Sequence, residues 1–367
     1  MGCMAAVLLL FSLLQSPSPV GLASVLGHFY NLEYPQAIAG FRQLSQQHPD
    51  SAGAWNHLAQ AELYQEMYRM GALESTLYGK GDAFLQRKLR PPDPRALAAF
   101  KQSDARAQAL AQAAIQKNPG DAQAHYDLAV AYGLAGNLDF SVKKSYWDAL
   151  GDAKNARREA AIAHQLRPAW VDPMLIIGVQ NYVAGSLPWT MKIFSSLVGY
   201  RGNKALGIQQ ITAVAEHGEH ARTDAQVLLA VVDRRDGRNR AAAQLFARLA
   251  QRYPRNVLFA VETGEAWESA GNHTAARTAL EAVRADAQAG APGYQHAPLA
   301  QVWYDLGSIA AVNSNWPEAE RDYVHAVHIP NAPRRYRRAA ARAAAVAAHK
   351  AAGGTSPDGP LPRSVHN

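Results

Sequence analysis

The chain has 367 residues, 48% of them hydrophobic and 18% charged, a balance that excludes disorder and fits two domains or one long solenoid. The formal charge of +7 sits almost wholly in residues 331–367, where seven basic residues face Asp358 alone. The remaining body is near neutral, so the high pI gives no support for a nucleic-acid groove through it.

The N-terminus carries an apolar run at residues 5–14, then a polar, Pro-containing stretch with Gly21 and Ala23 suited to a signal-peptidase site after Ala23. The run is too short to span a bilayer and reads as a secretory signal without a basic n-region. That places the chain in a bacterial periplasm or outside the cell. The alternative is a buried first helix in a cytoplasmic protein. The only cysteine is Cys3, so a mature chain without it has no disulfide, thiolate or Cys metal ligand.

A helix is expected over residues 34–49, with Tyr34, Ala37, Phe41 and Leu44 at helical spacing and Pro49 at its end. The next covers 54–70. An insertion near 71–94 follows, broken by Pro91, Pro92 and Pro94. Asp93 or Asp104 is placed to cap a helix over 95–117. Residues 125–136 open another unit. The insertion near 138–155 keeps helical spacing, which predicts one long second helix through 168. Around a third insertion, near 183–203, Ser186 and Asn203 read as caps and Gly218 as a stop. Later come helices around Ala230, Phe246, Gly264 and Leu280, then a Gly- and Pro-rich loop at 287–298. Trp303, Leu306 and Gly307 mark another helix. A turn at Asn313–Asn315 leads to Ala319, Tyr323 and Ala326, closed by Pro330.

Small residues recur at one place in these pairs: Ala230, Gly264 and Gly307, with Ala242, Ala276 and Ala319 on the second helices. Two helices approach closely only where such residues stand. The pattern resembles the tetratricopeptide repeat (TPR) family, and several matches at one offset predict an all-α, right-handed TPR-type solenoid. The expected layout is a signal-like segment at 1–23, a repeat domain at 24–350 and a disordered tail at 351–367. The resemblance implies a concave groove lined by first helices. It places Asn56, Gln60, Tyr64, Tyr126, Val130, Val231, Arg234, Arg235, Glu265, Glu268, Tyr304 and Ser308 on that side. The clamp that holds C-terminal carboxylates in chaperone-binding members needs Lys and Asn there. Apart from Arg234 and Arg235 those places are uncharged or acidic, which favours an extended, partly apolar peptide or a partner's helix.

Residues 185–207 add a second resemblance. Gly185-Ser186-Leu187-Pro188, Lys192, Leu197-Val198-Gly199-Tyr200, Gly202 and Gly207 look like a stretch of the tetratricopeptide repeat protein 39 group and the fungal inclusion-body-clearance proteins. Asn203-Lys204 stands where that group has an acidic-basic pair. The resemblance implies a non-enzymatic protein with a link to membranes or lipid.

Candidate chemistry is sparse. Glu216-His217-Gly218-Glu219-His220 is the one cluster that looks like metal ligands, but Gly218 breaks the helix and no third His or Cys is near in sequence, so it reads as a polar turn. Gly79-Lys80-Gly81-Asp82 lacks the spacing of a phosphate-binding loop. Trp189–Tyr200 is the most apolar exposed-looking piece, open to a membrane surface, a partner or burial in the stack. Arg334, Arg338 and Arg342 form one stripe of a tail helix, which either caps the last repeat or meets an anionic membrane surface or acidic partner. The chain is therefore expected to be a non-enzymatic scaffold or adaptor for a protein or peptide partner, without cofactor or metal and without nucleic acid. The alternative is a membrane- or lipid-associated module.

Overall fold

The computed structural model describes residues 21–73, 89–186 and 202–354. Among these residues there are fifteen α-helices and no strand. They are α1 (Leu22–Tyr30), α2 (Tyr34–Gln47), α3 (Ala52–Met70), α4 (Pro94–Lys117), α5 (Ala122–Asn137), α6 (Tyr146–Leu166), α7 (Pro173–Ser186) and α8 (Lys204–His217). Then come α9 (Arg222–Arg235), α10 (Asn239–Arg252), α11 (Val257–Ser269), α12 (His273–Gln288), α13 (Leu299–Val312), α14 (Trp316–His328) and α15 (Arg334–Ala351). Every helix packs on the next, and odd-numbered helices of neighbouring hairpins also touch, as α3 with α5 and α11 with α13. This is an all-α helical-repeat solenoid.

Local chemistry sets the boundaries. Asp93, not Asp104, caps α4: its carboxylate accepts from Arg95 N, while Asp104 is buried within the helix. Asn203 caps α8 through Leu206 N, and Gly218 stops it. The long second helix expected within 138–168 is α6, but helical spacing does not carry it back to 138. Residues Leu138–Lys143 form a π-turn, Lys144 sits in the left-handed region at φ 59°, and α6 starts afresh at Tyr146.

The spacing of small residues has a direct structural cause. A Cβ on Gly264 would lie 2.6 Å from Leu280 Cγ, and one on Gly307 would lie 2.8 Å from the Tyr323 ring. Both partners stand sixteen residues later in the chain, on the second helix of the hairpin. The α7–α8 crossing is closer still. A Cβ on Gly207 would meet Tyr182 N at 2.5 Å, and one on Gly185 would meet Lys204 N at 2.3 Å. Glycines there let two backbones touch.

The C-terminal core gathers Trp303, Tyr304, Leu306, Tyr323, Tyr336 and their neighbours from α11–α15. Helix α15 covers this end of the stack. Its Tyr336, Ala339, Ala340, Ala343 and Ala347 are buried, and its arginines face outward. A second core joins distant parts of the chain. Val25, Phe29, Tyr30, Phe41 and Leu58 of α1–α3 share it with Ala230, Phe246, Tyr253 and Phe259 of α9–α11. Repeat proteins ordinarily bury surface only between neighbouring repeats. Here the first hairpins also reach the fifth and sixth.

Several sequence readings lie outside the described residues: the apolar run at 5–14, Gly79–Asp82, Trp189–Tyr200 and the tail beyond residue 354. Ala23, the proposed cleavage position, lies in α1.

Candidate functional site

The odd-numbered helices face one another, and their polar side chains form a bonded chain across the interior. Gln301 of α13 donates to Glu265 of α11. Arg234 of α9 donates to both Glu262 and Glu265. From α9 the chain crosses to the first hairpins: Tyr30 Oη donates to Asp224 Oδ1 at 2.9 Å, and Gln60 Nε2 of α3 donates to Asp224 Oδ2 at 3.4 Å. Asn56 of α3 then donates to the Asp127 carbonyl of α5 at 2.8 Å.

Beside Asp224 lies a second set of cross-links. Arg255 N donates to Asn31 Oδ1 at 2.9 Å, and the Arg255 guanidinium holds Glu33 at 2.6 and 3.0 Å. Asn256 Nδ2 donates to the Tyr30 carbonyl at 2.7 Å. The Tyr30 and Tyr253 rings lie 5.0 Å apart. All these ties join residues 30–33 to residues 224–256.

Most side chains assigned by sequence to a groove are spent in these internal contacts. Asn56, Tyr126, Glu265 and Tyr304 are buried, and the Arg234 side chain is 12% exposed. Tyr126 packs 4.7 Å from Trp170, Tyr64 packs 5.5 Å from Phe29, and Tyr304 packs 5.4 Å from Tyr323. Val130 and Val231 are half-buried against the cores. Ser308 donates to the Tyr304 carbonyl and accepts from Tyr323 Oη. Arg235 and Glu268 are half-buried. Gln60, Asp224 and Tyr30 thus meet at one centre, Asn56 bonds separately to α5, and Tyr304 and Ser308 belong to the C-terminal core.

Burial sets the electrostatics of the interior. It pushes the Asp224 carboxyl up, with Tyr30 and Gln60 opposing. It raises Asp127 to about 6 and lowers His57 to about 4. At the seam, the hydrogen bonds from Arg255 hold Glu33 below the usual carboxylate range, against some desolvation.

The 216–220 cluster is a helix–helix turn. The fully buried Asp172 carboxylate accepts from Glu219 N, His220 N and Ala221 N at 2.9, 2.7 and 2.6 Å. One acidic side chain therefore satisfies three backbone donors ahead of α9. Among the described residues no three His, Cys, Asp or Glu side chains converge as a metal site.

Sequence reasoning missed Tyr30, Asn31, Glu33, Asp224, Arg255 and Asn256. Their partners stand 194–226 residues away, and no short-range signal carries that pairing.

The tetratricopeptide repeat profile matches residues 94–146 and 227–292. The chain carries tetratricopeptide repeats. These matches cover α4 and α5 in the first half and α9–α12 in the second, so the Tyr253–Asn256 half of the seam lies within a matched repeat. No curated protein matches. Solved structures of similar architecture include the Cut9–Hcn1 hetero-tetramer of the APC/C, at 12% identity and a TM-score of 0.39 over 89% of this chain and 55% of that one. This TPR chain thus spans about half of that relative's length. A tetratricopeptide repeat protein from Parabacteroides merdae is 11% identical, with a TM-score of 0.31 over 88% of this chain and 96% of that one. Human IFIT1, solved as a dimer with PPP-AAAA, is 14% identical, with a TM-score of 0.35 over 86% of this chain and 69% of its own. The matches do not extend to the tetratricopeptide repeat protein 39 resemblance, which rests on residues largely outside those described.

Proposed function

We propose that this TPR protein is a non-enzymatic scaffold or adaptor that holds a protein partner on the inner faces of its odd-numbered helices. The observation that carries this reading is the interior itself. Its charged and polar side chains are arranged as hydrogen-bond partners between helices, with Arg234 shared by two glutamates and Asp224 by Tyr30 and Gln60. A partner's helix would compete for these same donors and acceptors. Chemical cross-linking of the chain in its native complexes, read by mass spectrometry, tests it. A stoichiometric protein partner cross-linked beside α9–α13 supports the proposal. Substrate turnover by the purified chain, with no such partner, overturns it.

A second reading, association with an anionic membrane surface, is favoured by α15. Arg334, Arg338 and Arg342 are exposed on a helix that has no acidic residue. Flotation with anionic vesicles, lost on charge reversal of the three arginines, supports it. No flotation at low salt ends it. Export to a periplasm or beyond is part of the same proposal, and mass spectrometry of the mature N-terminus checks it.

A further inference from the structure

We propose that α1 and the turn Asn31–Glu33 are a built-in, displaceable ligand of the α9–α11 repeats. The site they fill takes a helix ending in a tyrosine followed by Asn-x-Glu. This rests on the scaffold reading and names the chemistry of the partner.

The anchoring is built like recognition of a helix end. One ring enters the site: Tyr30 packs at a tilt 5.0 Å from Tyr253, while Phe29 behind it is buried among Tyr30, Tyr34, Phe41 and Tyr64 of its own hairpins. Polar groups then fix the register. Asp224 accepts the Tyr30 hydroxyl, and Asn256 takes the carbonyl that ends α1. Asn31 accepts a backbone N–H from Arg255, and Glu33 pairs with the Arg255 guanidinium. Each successive contact reads one feature of the segment Tyr-Asn-Leu-Glu. A fork of guanidinium on carboxylate is directional as well as attractive.

Three observations mark this contact as a docked state. It links repeats far apart in the solenoid, where neighbour packing would already complete each hairpin. Helix α1 has nine residues, and α2 is the one helix on which it packs extensively. Leu32 sits at φ 62°, in the left-handed region, and its side chain touches both large cores. A leucine stays there when the contacts on both sides impose it. Release of α1 would uncover Val25, Phe29 and Tyr30 together with the Asp224–Arg255 face. The open form therefore persists when a helix of matching chemistry replaces α1, and the groove is self-occupied until then.

The probe is a fluorescent synthetic peptide of residues 22–36, with a scrambled peptide as control. In the full chain, Tyr30→Ala with Glu33→Ala weakens the resident ligand and leaves the site intact. The double variant binds the peptide about tenfold or more tightly than the wild-type chain, and adding Arg255→Ala removes the gain. Equal, weak binding by wild type and double variant overturns the proposal, as does an equal gain for the scrambled peptide. Hydrogen exchange on the unmodified chain needs no variant. Amides of residues 25–33 that open well before those of α9–α12 support displacement, and exchange of both regions in one global step overturns it. Either failure leaves the scaffold reading standing if cross-linking finds a partner on another helix face.

Discussion

The C-terminal stack α13–α15 and the N-terminal seam of α1–α3 on α9–α11 bury similar side chains by different means. In the stack, contacts are made between elements adjacent or next but one in sequence: Gly307 opens a slot and Tyr323, sixteen residues on, fills it, while Tyr304 reaches Tyr336 of α15. In the seam, Tyr30 meets Asp224 and Asn256 meets the Tyr30 carbonyl across 194 and 226 residues. The stack is held by apolar fit. The seam combines aromatic burial with hydrogen bonds that fail if the register slips. The difference teaches that a solenoid has two kinds of cohesion, one propagated along the chain and one imposed by closing it on itself.

The largest effect is expected in the stack. Tyr323→Ala empties the space under Gly307 and beside Tyr304, and costs about 3–5 kcal/mol in chemical denaturation. Gly307→Ala tests the same slot from the other side. Its new methyl would stand 2.8 Å from the Tyr323 ring, for a loss of about 1–3 kcal/mol. If both substitutions are silent, apolar fit is not what holds the stack, and the contrast with the seam disappears.

Asp172→Ala probes a case between the two. It removes the buried acceptor of three backbone N–H groups ahead of α9, the helix that carries Asp224. Each orphaned donor carries a desolvation cost, and about 2–4 kcal/mol is expected from denaturant titration. Asp172→Asn keeps one acceptor oxygen and recovers part of that loss. No difference between the two variants would mean that solvent serves the turn as well as the carboxylate does.

The two kinds of cohesion differ in how far the sequence reveals them. The stack is legible because Gly264, Gly307, Ala319 and Tyr323 repeat at short range, and the same pattern predicts a helical-repeat domain over 24–350. The candidate site was legible only in part. Asn56, Gln60, Tyr126, Arg234 and Glu265 were picked out because first helices line the inside. That Arg234 bonds Glu265, Gln60 bonds Asp224 and Asn56 bonds the Asp127 carbonyl depends on how tightly the superhelix closes, a sum of small rotations over many hairpins. Asn31 and Arg255 show the limit most clearly. Each is an ordinary turn residue in its own neighbourhood, and only closure makes them partners. The break at Lys144 was hidden for a related reason. Residues 138–143 keep helical spacing, and the π-turn follows from packing against α3 and α6.

At the seam, smaller effects are expected and they sharpen the comparison. Tyr30→Phe keeps the tilted ring contact with Tyr253 and deletes the hydroxyl that donates to Asp224, for a loss of about 1–2 kcal/mol. The loss should be accompanied by faster exchange of the Arg255 and Asn256 amides, while α13–α15 stay protected. Uniform exchange across both regions would show that seam and stack unfold as one body.

The effect that vanishes at neutral pH is a pH dependence from His57, whose ring stacks 5.2 Å from Phe41 of α2. Burial lowers it to about 4, with His220 nearby adding to the shift, so the folded chain holds the ring neutral while the unfolded chain protonates it near 6.5. The unfolded state therefore binds the extra proton in the window between about 6.5 and about 4. The contribution of His57 is complete above 6.5 and is lost as pH falls toward 4. Asp127, raised to about 6 by burial, acts in the opposite sense, since its proton is held more tightly in the fold. The informative quantity is the difference between wild type and His57→Gln. The denaturation midpoint of the wild type should fall relative to the variant by a one-proton slope between pH 6.5 and 4, and run parallel to it above pH 7. Parallel curves throughout would place His57 in contact with water. The structure would then be open enough around α3 to hydrate a ring that Phe41 otherwise covers.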